Sequence, residues 1–268
     1  MNAAAEIAGR HVSGRGVPRA FRGPFTGAVA SEWTKLWSVR APYICLLAGL
    51  GATGLFTFYF GSIASINDHP AQPVGNAAAS STLLGQFVVV ILATLAVTGE
   101  YTTTSVRTTL LWVPVRHRVQ LAKALVAAVV TFVAGVVFAV LGMAVAWGPF
   151  GGHATFDAAE AAATALAVGL YYALVAVLTV GAAFAARHAA GALAALFLLL
   201  WALPSTLVGL GGPVLVAIND WLPQAAGEHL MRHNAEAPYP PGVAILVLLA
   251  WTLAGHLAGR AVLRLRDA

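Results

Sequence analysis

TGEYTTTSVRTTLLWVPVRHRVQLAK, residues 98–123, is the stretch from which the rest of the chain can be placed. It carries Glu100, Arg107, Arg116, Arg118 and Lys123. A charge at mid-bilayer costs roughly 2.5–3.5 kcal/mol, so this stretch does not cross a membrane. The runs on either side of it do. Residues 69–99 and 124–156 contain no Asp, Glu, Lys or Arg, and four further long runs (41–67, 161–186, 188–219 and 237–259) share that property. Each is 23 to 33 residues long, against about 20 apolar residues for one spanning helix. Each therefore holds one span with some loop, which predicts six transmembrane helices. A charged content of 9%, where a soluble domain has about 25%, excludes a soluble fold of this length.

The basic residues orient the bundle. With six spans both termini and the loops at 99–123 and 185–190 share one face, and that face then holds every Lys and Arg except Arg232. Six acids (Asp68, Asp157, Glu160, Asp220, Glu228 and Glu236) fall on the other. Basic loops stay cytoplasmic, so the chain is expected in the cell inner (plasma) membrane, multi-pass, with both termini inside. The net charge of +5 is therefore topological, and no nucleic-acid partner is expected. With a single cysteine, Cys45, there is no disulfide framework. No signal peptide is expected, because the first apolar run begins only after some forty polar, basic residues.

Residues 1–24, rich in Gly, Ala and Arg, are expected to be a disordered cytoplasmic tail. Residues 25–41 are predicted as an amphipathic interfacial helix. Phe25, Val29, Trp33, Leu36 and Trp37 recur at helical spacing, while Ser31, Glu32, Thr34, Lys35 and Ser38 take the opposite face. Arg40 and Pro42 then turn the chain into a transmembrane domain over 42–268. Its spans are expected near Tyr43–Ser62, Ser81–Thr98, Leu121–Trp147, Ala161–Ala185, Ala189–Leu210 and Val243–Ala258, with Pro204 kinking or ending the fifth. Residues 211–241 are too long for a turn and too polar to span, and read as one or two short helices dipping at the outer interface, with Trp221 in the aromatic belt. Gly255 and Gly259 form a small-xxx-small pair of the kind found at helix contacts.

The chemistry in the chain is sparse. No G-x-x-x-x-G-K-[ST] occurs and neither lysine follows a Gly-rich turn, so no phosphate cradle of that kind is expected. No H-E-x-x-H or supported G-x-S-x-G is present, and no enzymatic activity, cofactor or metal is expected. Glu228, His229, His233 and Glu236 resemble a ligand set only as an amphipathic surface does. His256 reads as an interfacial or helix-contact residue, and the spans lack the buried acids of an ion-coupled carrier.

Two segments carry a resemblance: SEWTKLWSVRAP (31–42) before the first span, and VTGEYTTTSVRTTLLWVPVRHRVQLAKAL (97–125) between the second and third. Together with six spans and an outer segment between spans five and six, they resemble the permease subunit of ABC-2-type ABC transporters. The resemblance implies an all-α membrane fold with an N-terminal interfacial elbow helix (Glu32, Trp33, Lys35, Trp37, Arg40), cytoplasmic termini and a re-entrant outer segment. It also implies a permease pair, homo- or heterodimeric, powered by a separate pair of P-loop ATP-binding subunits that hold ATP and Mg.

The loop suits such docking. Thr102, following Glu100 and Tyr101, begins a run of hydroxyls that would cap a short helix starting there, while Leu110 and Leu111 offer apolar knobs for a groove. Pro114 would break the helix before Arg116, with Arg107 completing the coupling set. A path of Ala, Gly, Val, Leu and Phe, with Thr and the tyrosines Tyr59, Tyr171 and Tyr172 as its polar groups, suits export of a hydrophobic or amphipathic cargo such as a drug, peptide or lipid-linked molecule. No residue is assigned to cargo binding. The alternatives are an ion-coupled secondary carrier and a non-transporting membrane scaffold.

Overall fold

The structure is a computed structural model that describes residues 25–102, 116–232 and 237–265. In chain order it runs α1 (Phe25–Trp37), α2 (Ala41–Ile66), β1 (Gln72–Pro73), α3 (Gly75–Thr102), α4 (Arg116–Trp147), β2 (Ala154–Thr155), α5 (Ala158–Ala186) and α6 (Ala189–Phe197). A π turn (Leu198–Ala202), α7 (Leu203–Leu210), α8 (Pro213–Asp220), α9 (Pro223–Arg232) and α10 (Pro241–Leu265) complete it. Six segments are long and apolar enough to cross a membrane: Ala41–Ile66, Gly75–Gly99, Arg118–Trp147, Ala158–Ala186, Ala189–Leu210 and Pro241–Val262. All six predicted spans fall within them.

The bundle is built around α5. Its span is 72% buried, against 17% for α6–α7 and 22% for α2 and α10. The sequence of α5 explains this, because Ala and Gly let neighbouring backbones approach where lipid offers no hydrophobic drive to packing. A Cβ on Gly135 of α4 would lie 2.9 Å from the Gly169 Cα of α5. On the other flank a Cβ on Gly259 of α10 would lie 2.6 Å from the Gly181 carbonyl oxygen, and Gly255 packs on Leu178. The small-xxx-small pair is thus a helix contact, between α10 and α5.

The loops after α2 and α4 meet at one end of the bundle. Gln72–Pro73 pairs in parallel with Ala154–Thr155, and His153 Nδ1 lies 2.7 Å from the His69 carbonyl oxygen. Asp157 then caps α5 by accepting from the Glu160 N–H at 2.8 Å. At the opposite end, where α1 lies, Arg187 takes a left-handed conformation (φ 62°) and closes α5. His188 opens α6 by accepting from the Gly191 N–H at 2.9 Å.

Pro204 neither ends the fifth span nor leaves it regular. The helix passes through the π turn Leu198–Ala202 and continues as α7. Wider turns of this kind relieve the clash and lost hydrogen bond that a proline imposes on an α-helix. The segment after it forms two short helices. α8 buries no residue. α9 buries Ala226, Leu230 and Met231 in the core, against α10, α5 and α3.

Candidate functional site

The residues of the predicted elbow do form a helix, but it is turned differently from the sequence expectation. Glu32 was placed on the polar face, whereas it is 6% exposed, in line with buried Leu36 one turn on. Trp33, from the apolar stripe, is 45% exposed. The cause is Lys123. This residue, which the sequence assigns to the inner loop, sits inside α4 with its side chain 4% exposed and pairs with Glu32 Oε2. Its ammonium also donates to the Ala96 carbonyl of α3 at 3.0 Å. Lys35 closes on Glu32 Oε1 at 2.8 Å. A buried carboxylate is tolerable only when paired and hydrogen-bonded, and the pair therefore sets the roll of α1. Below it Leu36 packs with Leu92, Val126 and Val130.

An aromatic corner holds the junction between α1 and α2. The rings of Trp33 and Trp37 are 5.9 Å apart, those of Trp37 and Tyr43 5.3 Å. The Tyr43 hydroxyl donates to the Trp37 carbonyl at 3.3 Å. Ser38 ends α1 by donating to the Lys35 carbonyl at 2.8 Å, Arg40 is exposed in the turn, and Pro42 sits in the first turn of α2. Between α1 and the adjoining ends of α2, α3 and α4 lies a cavity of about 580 Å³. Glu32, Lys35, Ser38 and Lys123 give it polar walls, and Leu92, Leu95 and Val126 give it apolar ones.

The predicted coupling residues divide. Glu100, Tyr101 and Thr102 do not open a helix; they are the last residues of α3. No proline or left-handed residue interrupts the helix after Gly99, so the α3 ladder runs through them. Thr102, the first of the hydroxyl run, is thus the last residue of α3, and residues 103–105 lie outside the described residues. Arg116 is the first residue of α4. Arg107, Leu110, Leu111 and Pro114 lie outside the described residues, as do the side chains of Glu100, Tyr101, Thr102 and Arg116.

A second polar cluster, absent from the sequence reading, lies in the middle of the bundle. Gln86 of α3 and Tyr171 of α5 are each at most 1% exposed. The Tyr171 hydroxyl donates to Gln86 Oε1 at 2.5 Å, and Gln86 Nε2 donates to the Leu200 carbonyl in the π turn at 3.4 Å. Pro204 has no N–H to offer the carbonyl four residues before it. The Gln86 carboxamide supplies that donor. Tyr171 and Tyr172 are accordingly closed in the core rather than lining a path, and Tyr59 points outward at 58% exposure. The signal available in sequence was one glutamine in a charge-free span facing one proline in another.

At the bundle end away from α1, His229 Nε2 lies 3.3 Å from Asp220 Oδ1. The Tyr239 hydroxyl donates to the Asp220 carbonyl, and Trp251 Nε1 donates to the Trp221 carbonyl at 2.9 Å. Burial, and then the nearby Asp220 charge, push the Tyr239 hydroxyl up to about 12, which keeps it a donor. Trp221 is 55% exposed, its ring 5.4 Å from that of Tyr239. Glu228 accepts from Gln224 at 2.9 Å, His233 and Glu236 lie outside the described residues, and no group able to hold a metal occurs among the described residues. At the α1 end, Gln120 Nε2 donates to the His256 carbonyl at 2.9 Å, making His256 a contact between α4 and α10.

Six apolar helices, five of them around a buried central one, define a multi-pass, all-helical membrane protein. Residues 28–209, about two thirds of the chain, match the family described as ABC-2 family transporter protein, and the chain belongs to that family. Comparison with individually curated proteins gives no match. Membrane proteins of this family generally work with ATP-binding subunits.

Proposed function

We propose that this chain is the permease subunit of an ATP-driven exporter, working as a pair and powered by separate P-loop subunits that dock on the 99–123 loop. On this reading α1 is an elbow in the inner interface, both termini are cytoplasmic, and α8–α9 form the re-entrant outer segment. ATP and Mg belong to the partner; this chain performs no catalysis. Family membership carries the proposal, and the helices that flank the loop support it. In sequence the loop follows α3 and precedes α4, and Lys123 ties both to α1 through the Ala96 carbonyl and Glu32. A push on the loop would move three helices together, as a lever that couples ATP-driven closure of the partner to the bundle.

The sparsely buried faces of α2 and α6–α7, with Leu47, Leu55, Leu198 and Val208 outward, suit lipid and a second permease. Apolar spans suit a hydrophobic or amphipathic cargo. The test is co-purification in mild detergent. A P-loop ATPase should accompany the chain, and Arg107→Glu with Leu111→Asp should abolish its association while membrane insertion persists. Purification without any ATPase, or association retained in the double variant, overturns the proposal or its docking site respectively.

A further inference from the structure

We propose that the fifth span is hinged at its π turn, and that Gln86 of α3 is the latch that holds the second half of that span in place. In the latched state the Gln86 carboxamide reaches the Leu200 carbonyl. In the released state α7 and α8 turn together about the two ends of the segment they form.

Burial divides the span at this point. Before it, α6 buries Ala192 and Leu196, and Leu200 within the π turn is fully buried. After it Pro204 is buried, and then no residue from 205 to 221 is, until Leu222. Segments that open locally are those with few buried contacts. Both ends of 203–220 are nevertheless fixed. Gln86 holds the first through the Leu200 carbonyl. At the second, the Tyr239 hydroxyl donates to the Asp220 carbonyl, and Trp251 Nε1 donates to the Trp221 carbonyl at 2.9 Å. The turn between the two helices is Gly211–Gly212, with φ of 69° and 90°, a conformation that glycine takes without strain. A hairpin pinned at its base and unburied along both arms moves most at that tip.

Release leaves Gln86 bonded. Its Nε2 also donates to the Leu83 carbonyl of its own helix at 3.2 Å, and its Oε1 accepts from the Tyr171 hydroxyl at 2.5 Å. Only the contact to Leu200 is given up, at 3.4 Å the longest of the three. Prolines and π turns are the usual places where helices bend, and here both fall within seven residues of chain, 198–204.

The test is double electron–electron resonance on the full chain in lipid nanodiscs, in a Cys45→Ser background. Spin labels on Val208→Cys of α7 and Leu166→Cys of α5 report the hinge. Labels on Ala194→Cys of α6 and the same Leu166→Cys form the control pair; all three positions are exposed. Gln86→Leu should raise a second distance in the Val208 pair by about five- to tenfold, the worth of one net hydrogen bond, and leave the Ala194 pair unchanged. Pro204→Ala supplies an N–H four residues beyond Leu200 and should return the Val208 pair to a single distance in the Gln86→Leu background. Introduced alone it should narrow the Val208 distribution, a readout that does not require Gln86→Leu to fold.

A Val208 distribution that neither substitution alters overturns the proposal. So does a change of equal size in both pairs, which would be a general loosening of the bundle. A chain labelled at Val208→Cys alone that gives a short, sharp distance shows α7 clamped between two copies, and this also overturns a hinge held by Gln86.

Discussion

Replacing Lys123 by methionine should destabilise the bundle far more than its loss from a surface loop would. In the structure Glu32 and the Lys123 side chain are 6% and 4% exposed, so the substitution leaves a buried carboxylate with only Lys35, itself partly in solvent. Removing one partner of a buried pair costs about 3–5 kcal/mol, because the remaining charge is uncompensated. Glu32→Gln should also destabilise, by removing the carboxylate that Lys123 and Lys35 share. The double variant Glu32→Gln/Lys123→Met removes both charges of the pair, and replacing a whole pair by neutral groups is often close to neutral. The double should therefore lie well below the sum of the singles, with a coupling of at least about 2 kcal/mol. Unfolding of the purified chain by SDS titration in mixed micelles, followed by tryptophan fluorescence, measures all four corners of the cycle. Single-variant losses that add to within about 0.5 kcal/mol would refute the pairing and, with it, the roll assigned to α1.

Gln86→Leu strands the Tyr171 hydroxyl and the Leu200 carbonyl, and should cost about 1–3 kcal/mol per orphaned group in the same titration. Tyr171→Phe, which leaves Gln86 able to reach Leu200, should cost less. A Gln86→Leu variant as stable as the parent would discount the network. Gly259→Val forces a side chain against the Gly181 carbonyl and should destabilise by about 1–3 kcal/mol, whereas Gly27→Val, where a side chain meets nothing within 4 Å, should change stability far less. Tyr239 holds its proton up to about 12 in the folded state against an ordinary value of 10. Its contribution is thus complete below pH 10 and lost as pH rises toward 12, so proteolysis of the segment joining α9 to α10 should quicken across that window and not below it.

The six spans and the end of the bundle that gathers the basic residues were legible because they depend only on uninterrupted apolar runs and on where charge stops. Helix boundaries at Pro42, Asp157 and Arg187 lie at the edges of those runs. What could not be read depends on contacts across sequence. Glu32 looked like a solvent-facing residue because its partner Lys123 is 91 positions away, and a helical wheel of α1 contains no trace of α4. Gln86 drew no reading from the sequence, while Tyr171 and Pro204 were read only within their own spans, as a polar group of the path and as a kink. Their meaning appears only where the π turn delivers the Leu200 carbonyl to α3. α3 runs on to Thr102 although the apolar run ends at Gly99, because a helix needs only backbone continuity to outlast its apolar face.

The central claim is that the 98–123 loop lies inside the cell and receives a partner's force. It is tested by a cysteine placed at Arg107 in a Cys45→Ser background and probed with an impermeant maleimide. Labelling is expected in inverted vesicles and absent in intact cells, and it should fall when the P-loop subunit is bound. Labelling of intact cells would contradict the account.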